Sequence, residues 1–139
     1  MTYRKPAERP ASAQATGGKP KILVIDDHEM VRNELKRILE DGGKYAVELA
    51  FDGVDGLLKF QPGKFDVVLC DRSMPGKKGD EVIPEIKRMD PKQKVIMLSL
   101  DVEQLLPQQK KSIGADMYMD KADMGALLPA LEQLVKQKN

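Results

Sequence analysis

The sequence predicts an α/β domain in which five parallel strands, in the order 2-1-3-4-5, carry helices on both faces. Two observations predict it. From Lys21 onward the hydrophobic period switches repeatedly between strand-like runs and helix-like spacing, the mark of successive βα units. Right-handed crossovers between five such units place the strands in the middle and the helices outside. The apolar runs also end abruptly at polar residues: Ile22–Ile25 at Asp26 and Asp27, Val67–Cys70 at Asp71, Val95–Leu98 at Ser99, and Met117–Met119 just before Lys121. In a parallel sheet those ends lie along one edge, so three carboxylates, a hydroxyl and an ammonium come together there.

The first strand, Ile22–Ile25, leads into a helix with Val31, Leu35, Ile38 and Leu39 on one face, stopped by Gly42 and Gly43. A second strand over Tyr45–Ala50 precedes a short helix bearing Val54, Leu57 and Leu58, which Pro62 and Gly63 end. The third unit joins Val67–Cys70 to a helix bearing Val82, Ile83 and Ile86. The fourth joins Val95–Leu100 to a helix near Val102–Ser112, and the fifth joins Met117–Met119 to a helix bearing Met124, Leu127, Leu128, Leu131 and Leu134. Pro84, Pro107 and Pro129 fall inside or near the start of these helices, where a proline is free of kinking only in the first turn. Pro107 therefore makes the fourth helix the least secure element.

Composition narrows the possible functions. At 139 residues the chain suits one domain with its own core. Its 23 basic and 22 acidic side chains nearly cancel, so no global field draws it to nucleic acid or an anionic membrane. The single Cys70 reads as a small buried strand residue without an intramolecular disulfide, and no apolar run suits a signal peptide or membrane span. These features point to the cytoplasm. Residues 1–20, rich in Pro, Gly and small side chains with little to bury, read as a disordered N-terminal tail, leaving residues 21–139 as the folded domain.

In the predicted strand order, the topological switch, where the order of strand addition reverses, lies between strands 1 and 3, and ligands of open α/β sheets bind there. Asp26, Asp27 and Asp71 end those two strands. Carboxylates brought together repel, and a hard cation with oxygen ligands keeps them ionised; Mg²⁺ fits best. Taken singly, the same residues have plainer readings. Asp27 suits an N-cap of the first helix, Lys121 a solvated loop, Tyr118 a strand residue packed on a helix, and His28 the first turn of a helix.

The chain resembles the receiver domain of two-component response regulators. The resemblance covers nearly all of residues 21–139 and rests on Ile25-Asp26-Asp27, Ala50-Phe51-Asp52-Gly53, Asp71-Arg72-Ser73-Met74-Pro75 through Gly79, Ser99, and Gly114 to Lys121. It implies a flavodoxin-like doubly wound (βα)5 fold and a phosphorylation-dependent signalling switch. Asp71 would be the phosphoacceptor, with Ser99 and Lys121 contacting the phosphoryl group and Tyr118 serving as the aromatic switch. Mg²⁺ would take Asp27, Asp71 and the Ser73 backbone carbonyl as direct ligands, with Asp26 acting through a water. The implied partner is a histidine kinase or phosphotransfer protein, with output through protein contacts rather than nucleic acid or membrane. Such a chain is no enzyme beyond self-catalysed phosphotransfer and autodephosphorylation.

Three alternatives stand beside this reading. A metal-dependent phosphohydrolase also forms an aspartyl phosphate, but it wants a second acid two residues after the nucleophile, where Ser73 stands. A degenerate receiver used only for docking conflicts with the intact acidic triad. The stretch from Asp26 to Arg32 looks like receivers of helix-turn-helix transcription regulators, so a receiver separated from a DNA-binding output domain is the third. Departures from the family pattern are equally specific. Leu100 is bulky where a small residue is usual and is expected to limit access to the phosphoryl group, Ala122 replaces the common Pro after Lys121, and the loop Gly76–Gly79 is basic.

Overall fold

The structure, a computed structural model, describes residues 18–138. Five strands alternate with five helices: β1 (Lys21–Ile25), α1 (Glu29–Glu40), β2 (Ala46–Ala50), α2 (Gly53–Lys59), β3 (Val67–Asp71), α3 (Gly79–Met89), β4 (Lys94–Ser99), α4 (Pro107–Ile113), β5 (Met117–Asp120) and α5 (Leu127–Lys138). The strands form one parallel sheet in the order β2-β1-β3-β4-β5, as expected from the sequence. The expected tail over residues 1–20 lies outside the described residues for its first 17 positions. Pro20 already belongs to the fold, its carbonyl accepting the Ala46 amide at 3.0 Å.

Alternation along the strands divides the interior into two layers. Leu23, Ile25, Val68, Cys70, Val95 and Met97 face Val82, Ile83 and Ile86 of α3, with Leu57 of α2 and Ile113 of α4 packed into the same layer. Ile22, Val24, Val67, Leu69, Ile96 and Leu98 face Leu35 and Leu39 of α1 and Leu127, Leu131 and Leu134 of α5. Strands apolar on both sides are what a sheet covered on both faces requires. Among the described residues no helix is long and apolar enough to cross a membrane.

The prolines resolve differently from one another. The fourth helix is shorter than expected: a 3₁₀ turn over Val102–Gln104 comes first, and α4 begins only at Pro107. Proline there occupies the first helical turn, where its missing N–H has no intrahelical partner to lose, so it starts the helix rather than weakening it. Pro129 likewise lies in the first turn of α5. Pro84 alone sits inside a helix, α3, which continues through it to Met89. At the first turn of α1 Asp27 does not take the N-cap role of its plainer alternative reading. The N-cap position is His28, and it is the Asp26 carboxylate that accepts the His28 amide, at 2.8 Å.

The C-terminal edge of the sheet depends on close packing of helix against strand. A side chain built on Gly79, the first residue of α3, would place its Cβ 2.6 Å from the Asp71 carbonyl oxygen and 3.0 Å from the Arg72 Cα. Both are backbone atoms and cannot rotate aside. Gly79→Ala is therefore expected to destabilise the domain by about 1–3 kcal/mol, the usual cost of overpacking, read as a lower urea midpoint in far-ultraviolet circular dichroism; an unchanged midpoint would show that α3 shifts freely.

Candidate functional site

Strand register sets the height of each functional group. Ile25 pairs with Cys70, so Asp26 and Asp71 stand level as the next residues of neighbouring strands. Asp71 pairs with Leu98, which brings Ser99 to the same edge, and Ser99 pairs with Asp120, the residue before Lys121. The Lys121 amide donates to the Ser99 carbonyl at 3.0 Å, anchoring the lysine at the rim.

The lysine side chain closes the site. Its Nζ lies 3.1 Å from Asp26 Oδ2 and 3.3 Å from Asp71 Oδ1, one ammonium between two carboxylates that are almost wholly buried. Burial pushes the Asp71 carboxyl above the usual aspartate value; the Asp26 charge adds to this, while Lys121 and the Ser73 amide oppose it. For Lys121 burial works against the charged form, but the hydrogen bonds and charges of Asp26 and Asp71 outweigh it and hold the ammonium above the ordinary lysine value. All peptide bonds among the described residues are trans, and with Ala122 in place of proline Lys121 still reaches both acids.

Ligand atoms of Asp26, Asp27, His28 and Asp71 lie within 4.8 Å of one another, close enough to share one metal ion. The donor set fits a hard divalent cation: three carboxylates, with one of them, through Asp27 Oδ1, buried without a hydrogen bond. His28 Nδ1 is 3.1 Å from that oxygen. Ser73 stands two residues after Asp71, exposed in the loop that leaves β3, and Met74, buried in the α3 layer, pins that loop to the core. Cys70 is buried behind the site, where burial pushes its thiol up and leaves it inert.

Ser99 and Tyr118 both lie on the adjoining strands, but neither is bonded to Asp71. The Ser99 hydroxyl donates to Asp101 Oδ1, and the Asp101 amide donates back to Ser99 Oγ at 3.2 Å. The Tyr118 hydroxyl donates to the Lys110 carbonyl at 2.6 Å and accepts the Ala115 amide at 3.2 Å, spanning the end of α4. Leu100 is 76% exposed beside this edge.

Sequence reasoning missed one cluster. Arg72 holds Asp80 through two hydrogen bonds of 3.1 and 3.2 Å and Asp101 through a third of 3.1 Å. The only signal was indirect: in the predicted strand order, residues just past strands 3 and 4 are neighbours, which brings Arg72 beside Asp101.

The chain matches the response regulator receiver domain family over residues 22–132. It is 41% identical over 101 residues to the response regulator UvrY of Escherichia coli, covering 72% of this chain and 46% of UvrY. To the response regulator GacA of Pseudomonas aeruginosa it is 37% identical over 118 residues, covering 84% of this chain and 54% of GacA. The chain thus spans about half the length of these curated relatives. Among solved structures, TrrA of Thermotoga maritima, a response regulator in complex with Mg²⁺ and BeF, superposes with a TM-score of 0.74 at 32% identity, covering 83% of this chain and 98% of that one. The chemotaxis protein CheY4 of Vibrio cholerae gives a TM-score of 0.73 at 30% identity, covering 84% and 98%.

The raised carboxyl of Asp71 has a measurable consequence for stability. A group protonated more readily in the folded than in the unfolded chain helps folding below its unfolded value, and that help is lost as pH rises through the folded value. Asp71→Asn should therefore unfold at a higher urea midpoint than the parent at pH 7, with the difference shrinking as pH falls through the carboxylate range. A difference independent of pH would show that Asp71 does not carry the strain.

Proposed function

Because the chain belongs to the response regulator receiver domain family of two-component systems, we propose that it is a switch thrown by transfer of a phosphoryl group to Asp71. The donor is the phosphohistidine of a histidine kinase or phosphotransfer protein, the cofactor is Mg²⁺, and the output passes through protein contacts in the cytoplasm. The observation that carries this reading is the convergence of Lys121 on Asp26 and Asp71 at one edge of the sheet.

A carboxylate oxygen of Asp71 attacks phosphorus, the phosphorus–nitrogen bond of the donor breaks, and the imidazole leaves with the electron pair. Lys121 stands ready to balance negative charge on the moving phosphoryl oxygens, in a site shielded enough for that charge to count. Asp27, Asp71 and the Ser73 carbonyl would hold the cation directly and Asp26 through a water; when bound, it neutralises charge on the carboxylates and the phosphoryl oxygens. Ser99 then offers its hydroxyl to a phosphoryl oxygen, and Tyr118 turns toward the space behind it. A hydrogen bond to a charged group, worth about 1.5–3 kcal/mol, is enough to shift a two-state equilibrium tenfold or more.

The donor protein has to seat its histidine at the mouth of the site, so its docking surface adjoins that mouth. Met30, Val31, Ile38 and Met124 line an apolar groove of about 190 Å³ there, with Met30 largely exposed two residues after His28. An exposed apolar groove of this kind suits a partner helix better than solvent.

Incubation with a small phosphodonor and Mg²⁺ should add one phosphoryl group to the intact mass, sensitive to hydroxylamine and suppressed by chelation. Asp71→Asn should add none; a hydroxylamine-sensitive phosphate on that variant would refute the assignment. Leu100 is proposed to shield the aspartyl phosphate from in-line attack by water. Leu100→Ala should shorten the phosphorylated lifetime several-fold in a phosphate-release assay, and an unchanged lifetime would mean that this side chain stays clear of the water's approach.

A further inference from the structure

The Ser99 hydroxyl is committed before any phosphoryl group arrives. Ser99 is 3% exposed, and its one proton points to the Asp101 carboxylate rather than toward Asp71. Asp101 would otherwise be loosely held, since nearly half of its side chain is exposed. It is fixed by Arg72, the residue directly after Asp71, whose guanidinium is itself gripped through both outer nitrogens and Nε by Asp80 and Asp101. The chain of contacts runs from Asp80 at the start of α3, through Arg72 at the end of β3, to Asp101 and Ser99 at the end of β4. An Arg fork presented to a carboxylate is among the more rigid polar contacts a protein makes. The Asp101 carboxyl is held below its usual range by Ser99 first and Arg72 second, as expected of a carboxylate kept ionised to accept that proton.

We propose that Arg72 and Asp101 form a latch that holds the Ser99 hydroxyl in its resting position, so that the switch must exchange one charge-assisted hydrogen bond for another. This rests on the reading of Asp71 as phosphoacceptor. Arg72 and Asp101 are positioning residues that touch no reacting atom. Their effect is to lower the resting population of the active form and to set how much of the Ser99–phosphoryl bond is left to drive the change. Without the latch, Ser99 gains the phosphoryl bond and gives up only a contact with water. A charge-assisted hydrogen bond no longer broken corresponds to an equilibrium shift of about tenfold or more.

The test uses the full chain, with amide shifts recorded during titration of beryllofluoride, a phosphoryl mimic, at saturating Mg²⁺. Asp101→Ala should bind beryllofluoride about tenfold more tightly than the parent. Before any addition, its Ser99 and Tyr118 amides should already be displaced toward their positions in the beryllofluoride-bound parent. Arg72→Ala should move in the same direction by less, and the double variant should match Asp101→Ala alone, since Arg72 acts through Asp101. A merely structural role would lower the urea midpoint without tightening binding. Equal or weaker binding by folded Asp101→Ala, or strictly additive effects of the two substitutions, would overturn the latch. Should Asp101→Ala fail to fold, Asp101→Asn, which keeps the volume but not the charge, should give the same displacement to a smaller degree, and no displacement would overturn it. A parent protein that takes up no beryllofluoride would refute the phosphoacceptor reading instead; the latch is then judged by the Ser99 side-chain rotamer without ligand, which should change in Asp101→Ala and whose constancy would overturn it.

Discussion

Two aspartates buried side by side at the end of a sheet repel each other, and the Lys121 ammonium set between them offsets part of that repulsion. Its ammonium touches both Asp26 and Asp71, and the rest of the architecture serves to bring the three together. The lysine comes from just beyond β5, fifty residues after Asp71, and reaches the pair only because β4 and β5 continue the parallel order outward from β3. A strand slipped by one residue would turn Asp71 to the other face of the sheet. The two apolar layers that fix the register therefore also fix the chemistry.

The same convergence limits how the site can be charged. Lys121 balances one carboxylate of the pair, and Asp27 contributes a third with a buried oxygen that accepts no hydrogen bond. A net negative pocket of this kind favours a cation and disfavours an incoming phosphoryl group until that cation is present. Under the proposed function, the same electrostatics favours binding of the metal before phosphoryl transfer.

Most of this was legible in the sequence because the relevant signals are periodic or terminal. Alternating apolar runs located the strands, and the polar residue ending each run located Asp26, Asp71, Ser99 and the approach to Lys121. The strand order came from the handedness of crossovers rather than from any residue. Less legible were features that depend on side chains from distant elements meeting. Nothing local marks Arg72, Asp80 and Asp101 as partners, because a charged residue in a loop looks the same whether solvated or paired. Pro107 misled in the other direction: proline ends helices and begins them, and only the position of the first helical turn distinguishes the two. Asp27 was open to a capping role by residue type, but the N-cap of α1 falls one residue later, at His28, and no side chain caps the helix.

The tie between the Tyr118 hydroxyl and the end of α4 has an optical consequence. The chain has no tryptophan and only three tyrosines, of which Tyr45 is sealed in the α1 layer. Tyr118 sits with its ring 5.4 Å from the Lys110 ammonium and its hydroxyl on the Lys110 carbonyl. With no indole to absorb their emission, these phenols are the protein's own fluorophores. A rotation of Tyr118 away from that carbonyl would alter its polarity and hydrogen bonding together, so the proposed switch would be readable in native light emission without an attached label.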